Sequence, residues 1–280
     1  MTATPSTPVI ALGPALCGYV TAELQSAMAG LGARGGRIHA GVHLARKAIR
    51  RTRAVLALGR ATLGPGAAPI DRELRCVNRS LSPLRDAHAL VETLDRLVAK
   101  PHDAAMTRLL RRARGVAASR RASCALTQAG GEPEHARAML AMLQAALQGL
   151  PWQTLTSSTL TDALDLTLRG IAEARAEACT AGRNRDWHRW RRRMRRMSQQ
   201  QTACAAAGFD ISEPLFDKSL AEQLGKAQDL DLLLEHCGQG SPFNKPDKAA
   251  LRDFAKLALA RQRKRIASVS EHGAREPHSK

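Results

Sequence analysis

Two histidine-led rows of arginines constrain the fold of this chain more than any other feature. The first reads His43-x-x-Arg46-x-x-x-Arg50-x-x-Arg53 and the second His188-x-x-Arg191-x-x-x-Arg195. Steps of three and four hold these side chains on one face of an α-helix. At roughly 1.5 Å rise per residue, Arg46 to Arg53 covers roughly 10 Å, enough to follow an extended anion along the helix axis. Leu44, Ile49, Val55 and Leu56 supply a separate apolar stripe, so the first helix is expected to pack on one face and be cationic on the other. The second row is denser, with eight arginines and one aspartate between Arg183 and Arg196. Like charges three and four apart repel in an isolated helix. A single charge run is usually a solvated face, but two runs at matching places call for a compensating anion.

The places do match. His43 and His188 stand 145 residues apart, and Asp86 and Asp229 stand 143 apart. Leu81-Ser82-Pro83-Leu84-Arg85-Asp86 lies over Leu224-Gly225-Lys226-Ala227-Gln228-Asp229. Two landmarks keeping nearly one offset across forty residues indicate a duplicated four-helix unit. Glycine and proline punctuation predicts helices over 15–31 and 38–61, then over 70–99 with a break at 81–83, then over 102–128 and 133–148. Helices over 159–181, 186–207, 213–237 (with a break point at 224–225) and 245–269 follow the loop at 151–158. Ser82 is expected to cap the resumed segment, with Pro83 in its first turn. The layout is therefore a flexible start at 1–14, a first repeat at 15–130, a linking helix and loop at 131–158, a second repeat at 159–270 and a frayed tail at 271–280. The fold class is all-α: two pseudo-symmetric four-helix bundles packed as one body.

Composition agrees. Hydrophobic residues make up 44% and aromatic residues only 3%, a palette of small and aliphatic side chains that packs helices better than sheets. The 43 Lys and Arg exceed the 25 Asp and Glu by 18, a surplus that speaks of anionic partners more than of fold. Six scattered cysteines, with no Cys-x-x-Cys spacing, fit buried thiols in a reducing compartment. No Lys or Arg precedes Arg34 to start a signal peptide, and no uncharged apolar run reaches 18 residues. The expectation is a cytoplasmic protein with no membrane partner.

Val42-His43-Leu44-Ala45-Arg46-Lys47-Ala48-Ile49-Arg50-Arg51-Thr52-Arg53 resembles the signature of the CHAD domain, the conserved histidine α-helical domain. Leu81 to Asp86 is similar to that family's second motif. Trp187 to Arg196 resembles its second histidine helix, and Leu224 to Asp229 the matching Asp motif. The resemblance covers roughly residues 15–270. It implies two four-helix bundles about a pseudo-twofold axis, a basic groove that binds inorganic polyphosphate, and an association with polyphosphate granules. Residues placed in that groove on this basis are His43, Arg46, Lys47, Arg50, Arg51, Arg53 and Arg85 in the first half. In the second half they are His188, Arg191, Arg192, Arg195, Arg196 and Lys226. The second half departs from the family where Gln228 takes the place of the arginine seen at Arg85, and where Met197 and Ser198 replace an Arg-Tyr pair.

Each histidine either donates to phosphate or orients a neighbouring side chain; the sequence leaves both open. Asp86 and Asp229 are expected to serve helix starts or to hold arginines. His39 and His43 share a face but have no third ligand nearby, so no metal site is expected, and no cofactor. Nucleic acid is the alternative partner, with Trp187 and Trp190 as candidate stacking platforms. An enzyme acting on phosphoanhydrides is disfavoured. The sequence shows no Gly-rich phosphate loop, no paired carboxylates for metal ions and no catalytic residues. The arginines of the fourth helices (Arg111, Arg112, Arg261 and Arg265) are further candidates for the groove.

Overall fold

The computed structural model describes residues 11–128, 131–211 and 217–272, and among them every regular element is helical. The first half contains α1 (Leu12–Leu31), α2 (Ile38–Leu58), α3 (Ala67–Ser80), α4 (Ser82–Val98) and α5 (Ala104–Gln128). Then come α6 (Glu132–Gln148), α7 (Ser157–Ala181), α8 (Asn184–Ala206), α9 (Lys218–His236) and α10 (Lys245–His272). No described helix is long and apolar enough to cross a membrane. The expected flexible start overlaps residues 1–10, outside the described residues, but α1 begins at Leu12, inside the expected 1–14 segment. The expected tail lies outside the description from residue 273 onward.

Consecutive helices pair as hairpins: α1 with α2, α4 with α5, α7 with α8 and α9 with α10. The order of pairs in the first half thus recurs in the second. Corresponding helices meet across the middle, α2 on α8 and α4 on α9, while α6 packs on α1 and α3. Two hydrophobic cores result, and each draws on both halves of the sequence. One joins α1, α2, α3 and α6 to the start of α7 (Leu160, Leu164) and the end of α8 (Met197, Cys204). The other joins α4, α5, α9 and α10 to the end of α7 (Ala174, Ala178) and the start of α8 (Trp187, Trp190, Met194). Because α8 serves both cores in turn, its basic face is fixed at their junction.

Close approach sets the α1–α2 hairpin. A Cβ on Gly41 would collide with the carbonyl oxygen of Gly30, so the two backbones touch where a side chain would part them. Helix ends follow local chemistry. Thr156 and Thr159 form a reciprocal cap at the start of α7, and Gly182 ends it in the left-handed region with φ 64°. Asp217 accepts from the amides of Ser219 and Leu220 at the start of α9.

Three expectations need correction. Ser82 does not cap α4; its Oγ accepts instead from Arg46 Nη1 at 2.9 Å. Helix α9 runs through Gly225 without a break, since a helix-interior glycine removes no hydrogen bond, whereas Pro83 removes one. Leu44 is 41% exposed and does not join the apolar stripe; Val42, Ala45, Ala48 and Ile49 carry that face with Val55 and Leu56.

Candidate anion-binding site

The packing of α2 on α8 brings the two arginine rows together, and α4 adds Arg85 between them. Burial pushes the guanidinium of Arg46 down to about 10, with Arg85 contributing. Arg50 is likewise pushed down to about 10 by burial, then by Arg46, Arg85 and Arg191. Burial lowers Arg191. Arg195 falls well below the ordinary arginine value, again through burial first and then through Arg50, Arg191, Arg85 and Arg46. Like charges are therefore stacked in a partly desolvated space. Arg46 reaches the carbonyl of Asn78 and Ser82 Oγ, both neutral. The buried Nε atoms of Arg46 and Arg50 have no hydrogen-bond partner. A buried donor left unmatched is unfavourable, and a charged one more so.

On the second half the cluster opens into a cavity of about 320 Å³ lined by Arg185, His188, Arg191, Arg192, Arg195 and Gln228. His188 is fixed from behind. Its Nδ1 meets Gln228 Oε1, and its Nε2 lies 2.6 Å from Asp231 Oδ2. The hydrogen bond to Asp231 is the main reason that its imidazole is raised above the ordinary value. Asp231 is buried, and its Oδ1 accepts from Asn184 Nδ2 at 2.9 Å. Arg263 donates to Asn184 Oδ1 at 2.8 Å and stacks over Trp187. The chain Arg263–Asn184–Asp231–His188 thus fixes the imidazole in the cavity wall and favours its protonated form.

His43 differs. Burial lowers its imidazole, followed by Arg50. His39 stacks on His88 with ring centroids 5.3 Å apart, and its imidazole is also lowered by burial. His39 stands four residues before His43, as Asn184 stands four before His188. His88 stands two residues after Asp86, as Asp231 stands two after Asp229. The first half therefore places a histidine pair where the second places an amide and a carboxylate.

Lys47, Arg192 and Arg196 are exposed beside the cluster. Arg51 pairs with Glu23 of α1 at 2.7 Å, and Arg53 makes a two-pronged pair with Asp71 of α3. Arg85 meets Asp86 at 3.1 Å. Asp229 pairs with Arg96 at 2.8 Å, yet burial raises its carboxyl above the ordinary range. Lys226 lines a different cavity with Arg261 and Arg265. Arg112 is bound to Asp247 through two bonds. Trp187 and Trp190 are core residues, 7% and 0% exposed.

Sequence reasoning passed over Arg185, Gln228 as a hydrogen-bonding partner, and Asp231. The signal for Asp231 was its place two residues past Asp229. His188, Asp231 and Glu235 bring one potential metal-ligand atom each within 4.8 Å of one another. We read this group as an ion pair. His188 and Asp231 already partner one another at 2.6 Å, and the Arg191 and Arg192 charges oppose a cation there.

The sequence profile of the CHAD domain matches residues 21–211. The chain belongs to the CHAD family. No curated protein matches it. Among solved structures, the CHAD domain from the plant Ricinus communis superposes with a TM-score of 0.68 at 16% identity, over 99% of this chain and 96% of that one. PptA from Streptomyces chartreusis gives 0.63 at 19% identity, over 94% and 99%. At these identities the similarity shows a shared fold. The CHAD profile ends before α9, whereas the structural similarity extends through it.

Proposed function

We propose that this CHAD protein binds inorganic polyphosphate, without catalysis, along the arginine cluster formed by α2, α4 and α8. One observation carries the reading: Arg46, Arg50, Arg191 and Arg195 share one partly desolvated space with no ion pair of their own among the described residues. A flexible chain of phosphates supplies closely spaced negative charge and acceptors for the unmatched Nε donors. His188, locked through both ring nitrogens by Gln228 and Asp231, forms part of the wall of the adjoining cavity. The nearby carboxylates are engaged: Asp86 with Arg85 and Asp229 with Arg96. This favours binding over hydrolysis. Nucleic acid is the weaker alternative, because the two tryptophans next to His188 are buried and offer bases no platform. On this reading the protein resides in the cytoplasm, on polyphosphate granules.

The test is a titration with long-chain polyphosphate of the wild type, Arg46→Ala/Arg50→Ala and Arg191→Ala/Arg195→Ala, with DNA of equal charge as competitor. Each pair of substitutions is expected to weaken binding more than tenfold, and DNA to compete poorly. Equal affinity for DNA, or unchanged affinity in both variants, would reduce the cluster to general anion attraction.

A further inference from the structure

A larger cavity, of about 410 Å³, adjoins the arginine cluster between α4, α9 and α10. Asp229 stands between the two: it is bonded to Arg96 in this cavity and attracted by Arg191 and Arg85 of the cluster. The floor is apolar, built from Leu97, Leu230, Phe254 and Ala258. His102 meets Phe254 edge-on, with centroids 5.6 Å apart, and is anchored at 2.9 Å to the carbonyl of Leu97, so the aromatic corner is preformed. Arg96, Lys100, Lys226, Arg261 and Arg265 surround this floor. Of these five, only Arg96 is ion-paired among the described residues.

Two chemistries are thus joined in one cavity of small-molecule size. A bare phosphate chain would neutralise the rim but leave the apolar floor against water. A purely apolar ligand would cover the floor and leave four cations crowded together. An aromatic body carrying several phosphates satisfies both. We propose that this cavity binds a nucleoside polyphosphate, the base lying in the Phe254 corner and the phosphates meeting Lys226, Arg261 and Arg265. The site is separate from the arginine cluster and does not depend on what that cluster binds.

Calorimetric titration at constant ionic strength with ATP, tripolyphosphate and adenosine tests this. In Arg50→Ala/Arg195→Ala, which removes the cluster as a competing phosphate site, ATP should bind at least tenfold more tightly than tripolyphosphate, despite the similar charge, and more tightly than adenosine. Phe254→Ala should weaken ATP about tenfold, as loss of one aromatic contact to a base does, and leave tripolyphosphate unchanged. Phe254→Leu, which keeps the floor packed, should fall between. Lys226→Ala/Arg261→Ala should weaken ATP, whereas Arg50→Ala/Arg195→Ala should not. The proposal fails if ATP does not bind, or binds Arg50→Ala/Arg195→Ala no better than tripolyphosphate does. It fails equally if ATP binding is lost in Arg50→Ala/Arg195→Ala but kept in both Phe254 variants, since ATP would then be one more anion in the cluster.

Discussion

The arginine cluster should make the anion-free protein less stable than it need be, and Arg50 is the place to measure this. Its guanidinium is pushed from the ordinary arginine value down to about 10 by burial and then by Arg46, Arg85 and Arg191. A change of that size corresponds to roughly 3 kcal/mol against the charged form in the folded state. The folded value lies below the unfolded one, so this penalty is fully present below pH 10 and fades as pH rises toward the ordinary arginine value. Arg50→Met keeps most of the aliphatic stem and removes the charge. Imperfect packing of the thioether takes back part of the gain, leaving a net stabilisation of about 1–2 kcal/mol. In a domain of this size that is a rise in melting temperature of roughly 2–6 °C. The assay is thermal unfolding at pH 7 in a dilute chloride buffer free of phosphate, with and without long-chain polyphosphate. Without polyphosphate the variant should melt above the wild type. With it the order should reverse, because ligand stabilisation follows affinity. A lower melting temperature for Arg50→Met in the anion-free buffer would refute the reasoning, since it would mean that native contacts hold the guanidinium more strongly than its neighbours repel it.

Proton NMR of the imidazoles should place His188 above 6.5 and His39 and His43 below it, and Asp231→Asn should bring His188 down. In stability terms, the His188 contribution is present below pH 6.5 and is lost as pH rises through its raised value; His39 and His43 act oppositely, destabilising as pH falls below 6.5. Trp190, fully buried in the second core, should cost about 3–5 kcal/mol on replacement by Ala in a urea titration and clearly less on replacement by Phe. The logarithm of polyphosphate affinity should fall linearly with the logarithm of salt concentration, and each groove arginine removed should flatten that slope by about one.

The helices were legible because their punctuation is local. Pro83 ends α3 and starts α4, and Gly182 ends α7, whatever packs around them. Gly225 misled because glycine permits a break without requiring one, and α9 continues under the packing of α8 and α10. The arginine rows were legible as a periodicity, and with them the identity of Arg46, Arg50, Arg191 and Arg195. Which arginines are neutralised was not, because Glu23 and Asp71 belong to α1 and α3 and reach Arg51 and Arg53 only in three dimensions. Ser82 had two uses open to its hydroxyl, a helix amide or an arginine, and only the position of α2 decides between them. The sequence also could not show that each core mixes both halves, since that depends on α8 crossing from one to the other.

The two halves reach a cationic surface by different routes, and the α9 segment is where they diverge. In α4 the motif carries Arg85 and Asp86, followed by His88. In α9 the same places hold Gln228, Asp229 and Asp231. Losing the arginine at Gln228 removes a charge from the second half, but Gln228 and Asp231 together hold His188 by both ring nitrogens and favour its protonated form. The first half keeps its arginine, and burial followed by Arg50 depresses the His43 imidazole. The two halves therefore exchange an arginine on α4 for a carboxylate-held histidine on α8. The CHAD profile ends at residue 211, while the fold similarity spans nearly the whole chain. Backbone architecture depends on apolar spacing, which α9 retains with Leu224, Ala227, Leu230 and Leu233 in the core.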